Sequence, residues 1–260
     1  MPARIISVGT NKGGAGKSAL AMFIALVSAY KGKKTVVLDA DSQCGLSFRI
    51  KGAESHLRRG FVRSIVRDEE IPVKDFLIGE NLSFVPGDLS AERWGEGDIP
   101  SHAGRRLLDE LLSRFDVAVI DSGPRPTAFE KQLLAKGDVH LLPGGSDKAS
   151  IVGVVYRMVA VIDLLGSVER EKFFFIPWGV NLSEKTGKNA RLMEHITGVM
   201  QDFGMSITPP FPPVPDMTDL ICTLEDGVDM ANFLKYPGIA RRKKDILQWG
   251  EDLWGQVEKA

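Results

Sequence analysis

The sequence predicts a doubly wound α/β protein, with helices on both faces of a mostly parallel sheet. Short β-rich runs alternate with longer stretches of helical spacing along the 260 residues. The runs 117–120 and 173–176 are apolar without alternation, as in strands covered on both faces. A glycine-rich turn at residues 11–18 follows the first β-rich run, at residues 4–9. With 43% hydrophobic residues the chain can bury one substantial core, so we predict a single domain over residues 1–260.

The alternation places the elements in order along the chain. Strands are predicted at residues 4–9, 35–39, 82–86, 116–121, 139–143 and 173–180. Helices are predicted between them at 16–31, 57–67, 104–114, 128–136, 149–165 and 188–203. The proline-rich passage 208–216 can be neither helix interior nor central strand, because proline has no backbone N–H to donate. Two helical segments, 229–234 and about 239–258, complete the chain.

Composition limits the possible partners and locations. The formal net charge of −1 excludes a global basic field, so any attraction to nucleic acid must come from local patches or from a dimer that joins them. Cys44 and Cys222 have neither metal-ligand spacing nor the pattern of a disulfide framework. No apolar run is long enough to span a bilayer, and the N-terminus lacks a secretory pattern. We therefore expect a cytoplasmic protein.

The glycine-rich turn has the features of a phosphate-binding loop. It lies between the first predicted strand and the first predicted helix, the setting that such a loop requires. Glycines let backbone N–H groups approach phosphate oxygens, and the helix directs its positive end at them. Lys17 would neutralise the β- and γ-phosphates, and the Ser18 hydroxyl would ligate Mg²⁺. The predicted contacts are Gly13, Gly14, Ala15, Gly16, Lys17, Ser18 and Ala19.

An additional lysine distinguishes this loop from the general template, whose first glycine is replaced by Asn11. Lys12 is either a solvated lysine at the loop tip or a cation that meets phosphate. The sequence from Lys12 to Ser18 resembles the deviant Walker A motif of the ParA/MinD family of P-loop ATPases. In that family the extra lysine reaches across a nucleotide-sandwich dimer to the partner's ATP. The resemblance implies ATP and Mg²⁺ as cofactors, an ATP-dependent homodimer, and catalytic roles for Lys12 and Lys17.

Three aspartates follow predicted strands and are candidates for the metal and water site. Asp39 and Asp41 end the second strand, where aspartate could also serve as simple turn chemistry. Their D-x-D-x-Q pattern resembles the ParA branch, with Ser42 in place of the usual proline. By that resemblance Asp41, a catalytic candidate, orients the attacking water and Asp39 supports the Mg²⁺ hydration shell. Asp121 ends the predicted Walker B strand and would hold a Mg²⁺-bound water.

Two further stretches resemble adenine-contacting segments of the family. Asn181 follows the strand predicted at 173–180, and an asparagine side chain offers both a donor and an acceptor to the adenine edge. Val214 and Pro215 resemble an apolar-proline step that lies against the adenine ring. The ATP-binding residues implied by resemblance therefore also include Asn181, Pro215, Asp216 and Met217.

The same resemblance implies a switch that partitions or positions a cargo, such as a plasmid, a chromosome or a protein complex. The ATP dimer would bind DNA without sequence preference, on the nucleoid, and a ParB-like or adaptor protein would stimulate slow hydrolysis. The phosphate loop stands so near the start that we expect the small form, without a preceding helix-turn-helix. Each candidate DNA contact could equally be a solvated helix face; these contacts are Lys185, Lys188, Arg191, Arg241, Arg242, Lys243 and Lys244.

Three other functions have some support in the sequence or in the wider superfamily. The last segment carries an apolar stripe including Trp249 and Trp254, which would suit a MinD-like membrane-surface helix. Its acidic residues argue against anionic lipid, and packing on the domain's own core is the favoured interpretation. Iron–sulfur relatives need cysteines at places that Cys44 and Cys222 do not match. Small-molecule synthetases of the superfamily generally lack a counterpart of Lys12. The roles of Arg125 and of the basic segment 57–67 stay undecided.

Overall fold

The computed structural model describes residues 3–53, 57, 76–89, 102–145, 147–166, 170–178, 188–209, 221–222 and 228–260. The strands within these residues are β1 (Arg4–Val8), β2 (Thr35–Asp39), β3 (Phe76–Gly79), β4 (Leu82–Val85), β5 (Val117–Asp121), β6 (Val139–Gly144), β7 (Phe173–Pro177) and β8 (Ser206–Ile207). The α-helices are α1 (Lys17–Tyr30), α2 (His102–Leu112), α3 (Ala128–Leu134), α4 (Lys148–Leu165), α5 (Lys188–Asp202), α6 (Met230–Phe233), α7 (Pro237–Ala240) and α8 (Lys243–Lys259).

All eight strands form one sheet in the order β3-β4-β2-β5-β1-β6-β7-β8. Only the pair of β3 and β4 is antiparallel; the other neighbouring strands run parallel. The predicted fold class, an α/β protein with a mostly parallel sheet, is confirmed. Its central strands are buried along their whole length, as their continuous apolar runs predict.

The strand register brings the predicted site to one edge. β5 lies between β2 and β1, with Asp39 paired to Asp121 on one side and Val8 paired to Asp121 on the other. Because these strands are parallel, the ends of β1, β2 and β5 meet at the same carboxyl edge of the sheet. That edge is where open α/β sheets bind their ligands.

Helices cover both faces of the sheet. Because side chains alternate along each strand, neighbouring strand residues pack against helices on opposite faces. On β1, Ile6 and Val8 join one apolar cluster with α1, α6, α7 and α8, whereas Ile5 joins the other face. Within the first cluster the Phe23 ring lies 6.0 Å from the Phe233 ring and 5.9 Å from the Trp249 ring. The opposite face packs against α2, α4 and α5.

Except for the last helix, the predicted strands and helices agree with the structure to within about two residues wherever they lie in its described part. Almost all of the helix predicted at 57–67 falls outside the described residues. Two short strands, β3 and β8, were not predicted, because four and two residues are too few to show a period.

The helix predicted at about 239–258 needs correction, because the structure divides this segment into α7 and α8. The chain turns at Arg241 and Arg242 between them. Neither glycine nor proline marks this turn, so periodicity alone could not detect it. Both Ile239 and Ile246 reach the core across the turn.

The apolar stripe of α8 faces the protein's own core. Ile246, Trp249, Leu253, Trp254 and Val257 are buried in the cluster around α1. The Trp249 Nε1–H donates a hydrogen bond to the Pro209 carbonyl at 2.8 Å. The favoured prediction of core packing is confirmed. In the part of the chain that the structure describes, none of the helices combines the length and apolar character needed to cross a bilayer.

Candidate functional site

The loop between β1 and α1 leads into a helix start that has no side-chain cap from the described residues. Gly14 and Gly16 adopt left-handed conformations, with φ of 69° and 84°, which turn the chain into α1. No described side chain caps the start of α1, and its first turn contains no acidic residue. The first N–H groups of a helix lack intrahelical partners and carry its positive dipole end. This arrangement suits an anion such as phosphate.

Lys17 lies within the loop, and its side chain is largely buried. Its ammonium donates a hydrogen bond to the Lys12 carbonyl at 3.1 Å. Burial lowers the pKa of Lys17, while the carboxylates of Asp121 and Asp41 oppose that change. A cation between the loop and two carboxylates is placed to meet phosphate at this edge.

Asp39 and Asp121 are buried carboxylates on adjacent strands. The Asp39 Oδ2 atom accepts hydrogen bonds from the Ser47 amide at 2.8 Å and the Ser47 hydroxyl at 2.6 Å. Burial raises the pKa of Asp39 to about 6, with a further rise from the charge of Asp41. Burial and the neighbouring Asp39 raise the pKa of Asp121 well above its ordinary range, and the Ser18 hydroxyl opposes this.

Three buried oxygens of this pair form a site that suits a cation. Asp39 Oδ1 and both oxygens of Asp121 are buried without a hydrogen bond of good geometry to any described residue. Buried polar atoms nearly always have partners, so such orphans call for an ion or ordered water. With the Ser18 hydroxyl beside them, these oxygens fit a hydrated Mg²⁺, which typically keeps several waters and takes few protein ligands.

Asp41 follows β2 and lies at the mouth of the loop. Its Oδ1 atom accepts a hydrogen bond from the Gln43 amide at 2.9 Å. A Cβ atom added to Gly123 would lie 2.7 Å from this oxygen, so the carboxylate packs directly on the Gly123 backbone. A cavity of about 420 Å³ opens here, and it is lined by residues including Gly13, Gly14, Ala15, Gly16, Lys17, Ser18, Ala19 and Asp41.

Lys12 lies at the rim of the site and contacts the start of α4. Its ammonium is 2.6 Å from Asp147 Oδ2 and 2.8 Å from Ser150 Oγ. The hydrogen bonds from Lys12 and Ser150 hold the pKa of Asp147 well below its ordinary range. The Lys12 and Asp147 side chains are 35% and 53% exposed. Within one chain, therefore, Lys12 forms a surface ion pair and does not point freely into solvent.

Sequence reasoning missed four residues that shape this site. Glu130 closes a capping box with Thr127 at the start of α3 and also accepts the Gly123 amide at 2.7 Å. Arg157, on α4, donates a hydrogen bond to the Gly123 carbonyl. Two signals were available: the Thr127-x-x-Glu130 spacing of a capping box, and a lone arginine within the apolar run of α4. Asp147 caps α4, and nothing in the sequence indicates its contact with Lys12.

Trp178, just after β7, is the fourth. A Cβ atom on Gly16 would lie 2.1 Å from its Nε1 atom, so the indole covers the loop where α1 begins. The Trp178 backbone amide donates a hydrogen bond to the Gly144 carbonyl at 2.9 Å, and this bond fixes Trp178 at the carboxyl edge of the sheet.

The remaining predicted residues are not all brought to this site. Asn181, Lys185, Pro215, Asp216 and Met217, and the side chain of Lys188, lie outside the described residues. Arg191 is exposed on α5. An exposed basic cluster precedes and begins α8, on the opposite face of the sheet from α5; it comprises Arg241, Arg242, Lys243 and Lys244.

Comparison with known families identifies the chain. The family model described as AAA domain matches residues 3–173, which include the loop and every described aspartate of the site. The chain belongs to this family. Its matched part contains β1 through the start of β7, the portion that carries the carboxyl-edge site.

Curated relatives with assigned names include positioning proteins. The carboxysome distribution protein A of Synechococcus elongatus is 27% identical over 168 residues, spanning 62% of this chain and 64% of that protein. The septum site-determining protein MinD of Escherichia coli is 35% identical over 125 residues, spanning 46% of this chain and 44% of its own length.

Solved structures share the fold over nearly the whole chain. A protein described as a plasmid partition protein of Borrelia burgdorferi, bound to AMPPNP, aligns with a TM-score of 0.69 at 18% identity, covering 100% of this chain and 99% of its own. An ATP complex of a Cyanothece McdA variant aligns with a TM-score of 0.71 at 17% identity, covering 95% and 96%.

A synthase also shares the fold. Cobyrinic acid a,c-diamide synthase of Mycobacterium smegmatis, with ADP and magnesium, aligns with a TM-score of 0.67 at 18% identity, covering 84% of this chain and 90% of its own. Together with the family match, these relatives confirm the resemblance to the ParA/MinD family.

Proposed function

We propose that this chain is a Mg²⁺-dependent ATPase switch that dimerises on ATP and partitions or positions a cargo. The observation that carries the proposal is the pair of loop lysines: Lys17 is buried inside the loop, and Lys12 stands at its rim on a surface ion pair. One cation is placed for the chain's own nucleotide. The other can be released toward a second subunit.

The phosphate loop would bind the triphosphate through backbone N–H groups at the start of α1 and through the Lys17 ammonium. Phosphoryl transfer depends almost entirely on such positioning and on electrostatic stabilisation. Asp41 is at the rim of the same cavity, where its carboxylate would orient the attacking water. Trp178 over Gly16 would limit how far the loop can move.

The Ser18 hydroxyl would ligate Mg²⁺, and the orphan oxygens of Asp39 and Asp121 would hold its bound waters. When bound, the ion would supply positive charge that offsets the charge of the phosphates and of the two buried carboxylates. This would account for two acidic side chains in register at the centre of the sheet.

Lys12 would leave Asp147 and contact the partner's nucleotide in the dimer. Exposed ion pairs are typically worth only about 0.2–1 kcal/mol, so releasing this one costs little. A cation supplied in trans to phosphoryl transfer is worth about 10³–10⁵ in rate. Hydrolysis would be slow in a single subunit and would act as a timer, because loss of the γ-phosphate loosens the dimer. A ParB-like or adaptor protein would set its speed.

We propose that the ATP-bound dimer positions its cargo by binding DNA on the nucleoid, without sequence preference. The exposed cluster from Arg241 to Lys244 supports this. Lys243 and Lys244 begin α8, where cations oppose the helix dipole and so do not serve helix stability. Arg191 lies on the other face of the sheet. Arg191 and the cluster would therefore contact DNA through different subunits or different duplexes.

Two alternatives have weaker support. The membrane-surface interpretation relied on the apolar stripe of α8, and that stripe is buried against α1. The synthase likeness rests on fold alone, and the Lys12 position favours a dimerising switch over a small-molecule synthetase.

The test is retention on DNA or liposomes with and without ATP, combined with mass measurement in solution. The Asp41→Ala variant should accumulate as an ATP-bound dimer, and this dimer should be retained on DNA with a steep salt dependence. Lys12→Ala should bind ATP but remain monomeric. Lys243→Ala with Lys244→Ala should weaken DNA retention, whereas Lys259→Ala at the other end of α8 should not.

The outcomes separate the parts of the proposal. Retention on liposomes alone would replace DNA by a membrane surface. A Lys12→Ala variant that dimerises and hydrolyses ATP like the wild type would remove the trans-lysine role. A wild-type chain that binds no ATP would overturn the whole proposal.

A further inference from the structure

Arg157 is an unusual residue for its position in the middle of α4. Its side chain is only 1% exposed, and the same helix buries the apolar residues Val154, Met158 and Val161. Burial lowers the pKa of its guanidinium, and the carboxylates of Glu130 and Asp41 oppose this. A buried charge is often replaceable by a hydrophobic residue at no loss of stability. Packing alone therefore does not explain an arginine here.

The contacts of Arg157 converge on the loop after β5. One Nη2–H donates a hydrogen bond to the Gly123 carbonyl. The guanidinium also lies against the Gly9 backbone, since a Cβ atom there would be 3.2 Å from its Cζ atom. Its Nε and Nη1 atoms are buried without a hydrogen-bond partner among the described residues. The guanidinium is thus removed from water and makes one directed hydrogen bond in its place.

Gly123 is held from its other side by Glu130. The Glu130 Oε1 atom accepts a hydrogen bond from the Gly123 amide at 2.7 Å, and its Oε2 atom accepts one from the Thr127 amide at 2.6 Å. Both polar groups of the Gly123 backbone are therefore fixed by the buried side chains of Arg157 and Glu130. Directly above this backbone lies the Asp41 carboxylate, 2.7 Å from where a Cβ atom would be.

We propose that Arg157 is a positioning residue, which together with Glu130 fixes the Gly123 backbone against Asp41 and thereby sets the position of the water-orienting carboxylate. This inference rests on the proposed ATPase function. Arg157 touches neither nucleotide nor water in this scheme. It acts through Gly123, and a small shift of Asp41 away from the attacking water is enough to slow hydrolysis.

The decisive variant is Arg157→Met, which replaces the apolar stem of the arginine by one of similar volume but removes the guanidinium donor. Turnover at saturating ATP should slow by about tenfold to a hundredfold, the range expected for a small misplacement of a reacting group. ATP affinity should stay within about twofold of the wild type. Arg157→Lys keeps a positive donor and should recover part of the rate.

A matched control and a structural readout exclude simple destabilisation. Val161→Ala, one turn further along the same buried face of α4, should lower the unfolding midpoint while leaving the hydrolysis rate intact at low temperature. Amide hydrogen exchange at Gly123 should be faster in Arg157→Met and unchanged in Val161→Ala. If Arg157→Met does not fold, Arg157→Lys and the exchange rate carry the same test.

Three results would overturn the inference. An Arg157→Met variant with wild-type turnover would show that the contact with Gly123 does not matter. Equal losses of turnover and ATP affinity would indicate a structural role only. A wild-type chain that neither binds nor hydrolyses ATP would instead overturn the proposed function and this inference with it.

Discussion

The Lys12 ammonium lies 2.6 Å from Asp147 Oδ2, across 135 residues of sequence. Asp147 is also the N-cap of α4, where it accepts the Ser150 amide at 3.0 Å. One carboxylate thus starts a helix and holds the lysine that we propose for the partner's nucleotide. In the proposed dimer this ion pair would break in both subunits.

Asp147→Asn should favour the ATP dimer. Asparagine keeps the capping oxygen but loses the charge, so α4 should remain intact while Lys12 is released. The dimer should tighten by up to about thirtyfold, because each of its two subunits releases an exposed ion pair that contributes at most about 1 kcal/mol. Sedimentation with ATP would measure this, with Asp163→Asn on the exposed part of α4 as control. Weaker dimerisation would mean that Asp147 acts within the dimer itself.

Gly16→Ala should abolish most ATP binding. Alanine would be strained at a φ of 84°, by about 1–2 kcal/mol, and its Cβ atom would collide with the Trp178 indole. We expect the affinity for ATP to fall by about tenfold or more. Gly198→Ala on α5, away from the loop, is the control, because a Cβ atom there meets nothing within 4 Å. Equal affinities in a calorimetric titration of the two variants would contradict this prediction.

Glu130→Gln should change the pH dependence of stability. Burial raises the pKa of Glu130 to about 7 from an ordinary value of 4.5. The folded state therefore keeps a proton that the unfolded state has released, and wild-type stability falls as pH rises between these values. The glutamine variant does not titrate there, so the stability advantage of the wild type should shrink from pH 5 to 7.5.

Urea unfolding at these two pH values would measure the difference. Glu110→Gln, at an exposed position on α2, should leave the pH profile unchanged. A difference between wild type and Glu130→Gln that does not vary with pH would show that Glu130 is ionised throughout the range.

Trp249→Ala should cost about 3–5 kcal/mol of unfolding free energy, as expected for truncation of a core tryptophan. The variant loses the packing on Phe23 and the hydrogen bond to Pro209. Gln248→Ala, on the exposed side of α8, should have little effect. Urea denaturation measures both. A stable Trp249→Ala variant that has lost liposome binding would restore the membrane interpretation.

The central parts of the site were predictable from sequence because they depend on local order. Asp39 and Asp121 each end a continuous apolar strand, and parallel strands bring their carboxyl ends together. The loop from Lys12 to Ser18 carries its own motif. For these residues, neighbours along the chain determine the environment.

The supporting residues could not be placed in the same way. Arg157 meets Gly123 across 34 residues, and Lys12 meets Asp147 only once β1 and β6 are adjacent. The turn at Arg241 and Arg242 carries no glycine or proline. Such features follow from the packing of distant elements, and a single sequence contains no periodic signal for them.

The register of Asp39 against Asp121 has a consequence for resistance to denaturant. Burial raises the pKa of both acids, so their charged forms are unfavourable inside the sheet. Under the proposed function a bound cation would offset that charge, and the urea midpoint should rise most when nucleotide and Mg²⁺ are added together.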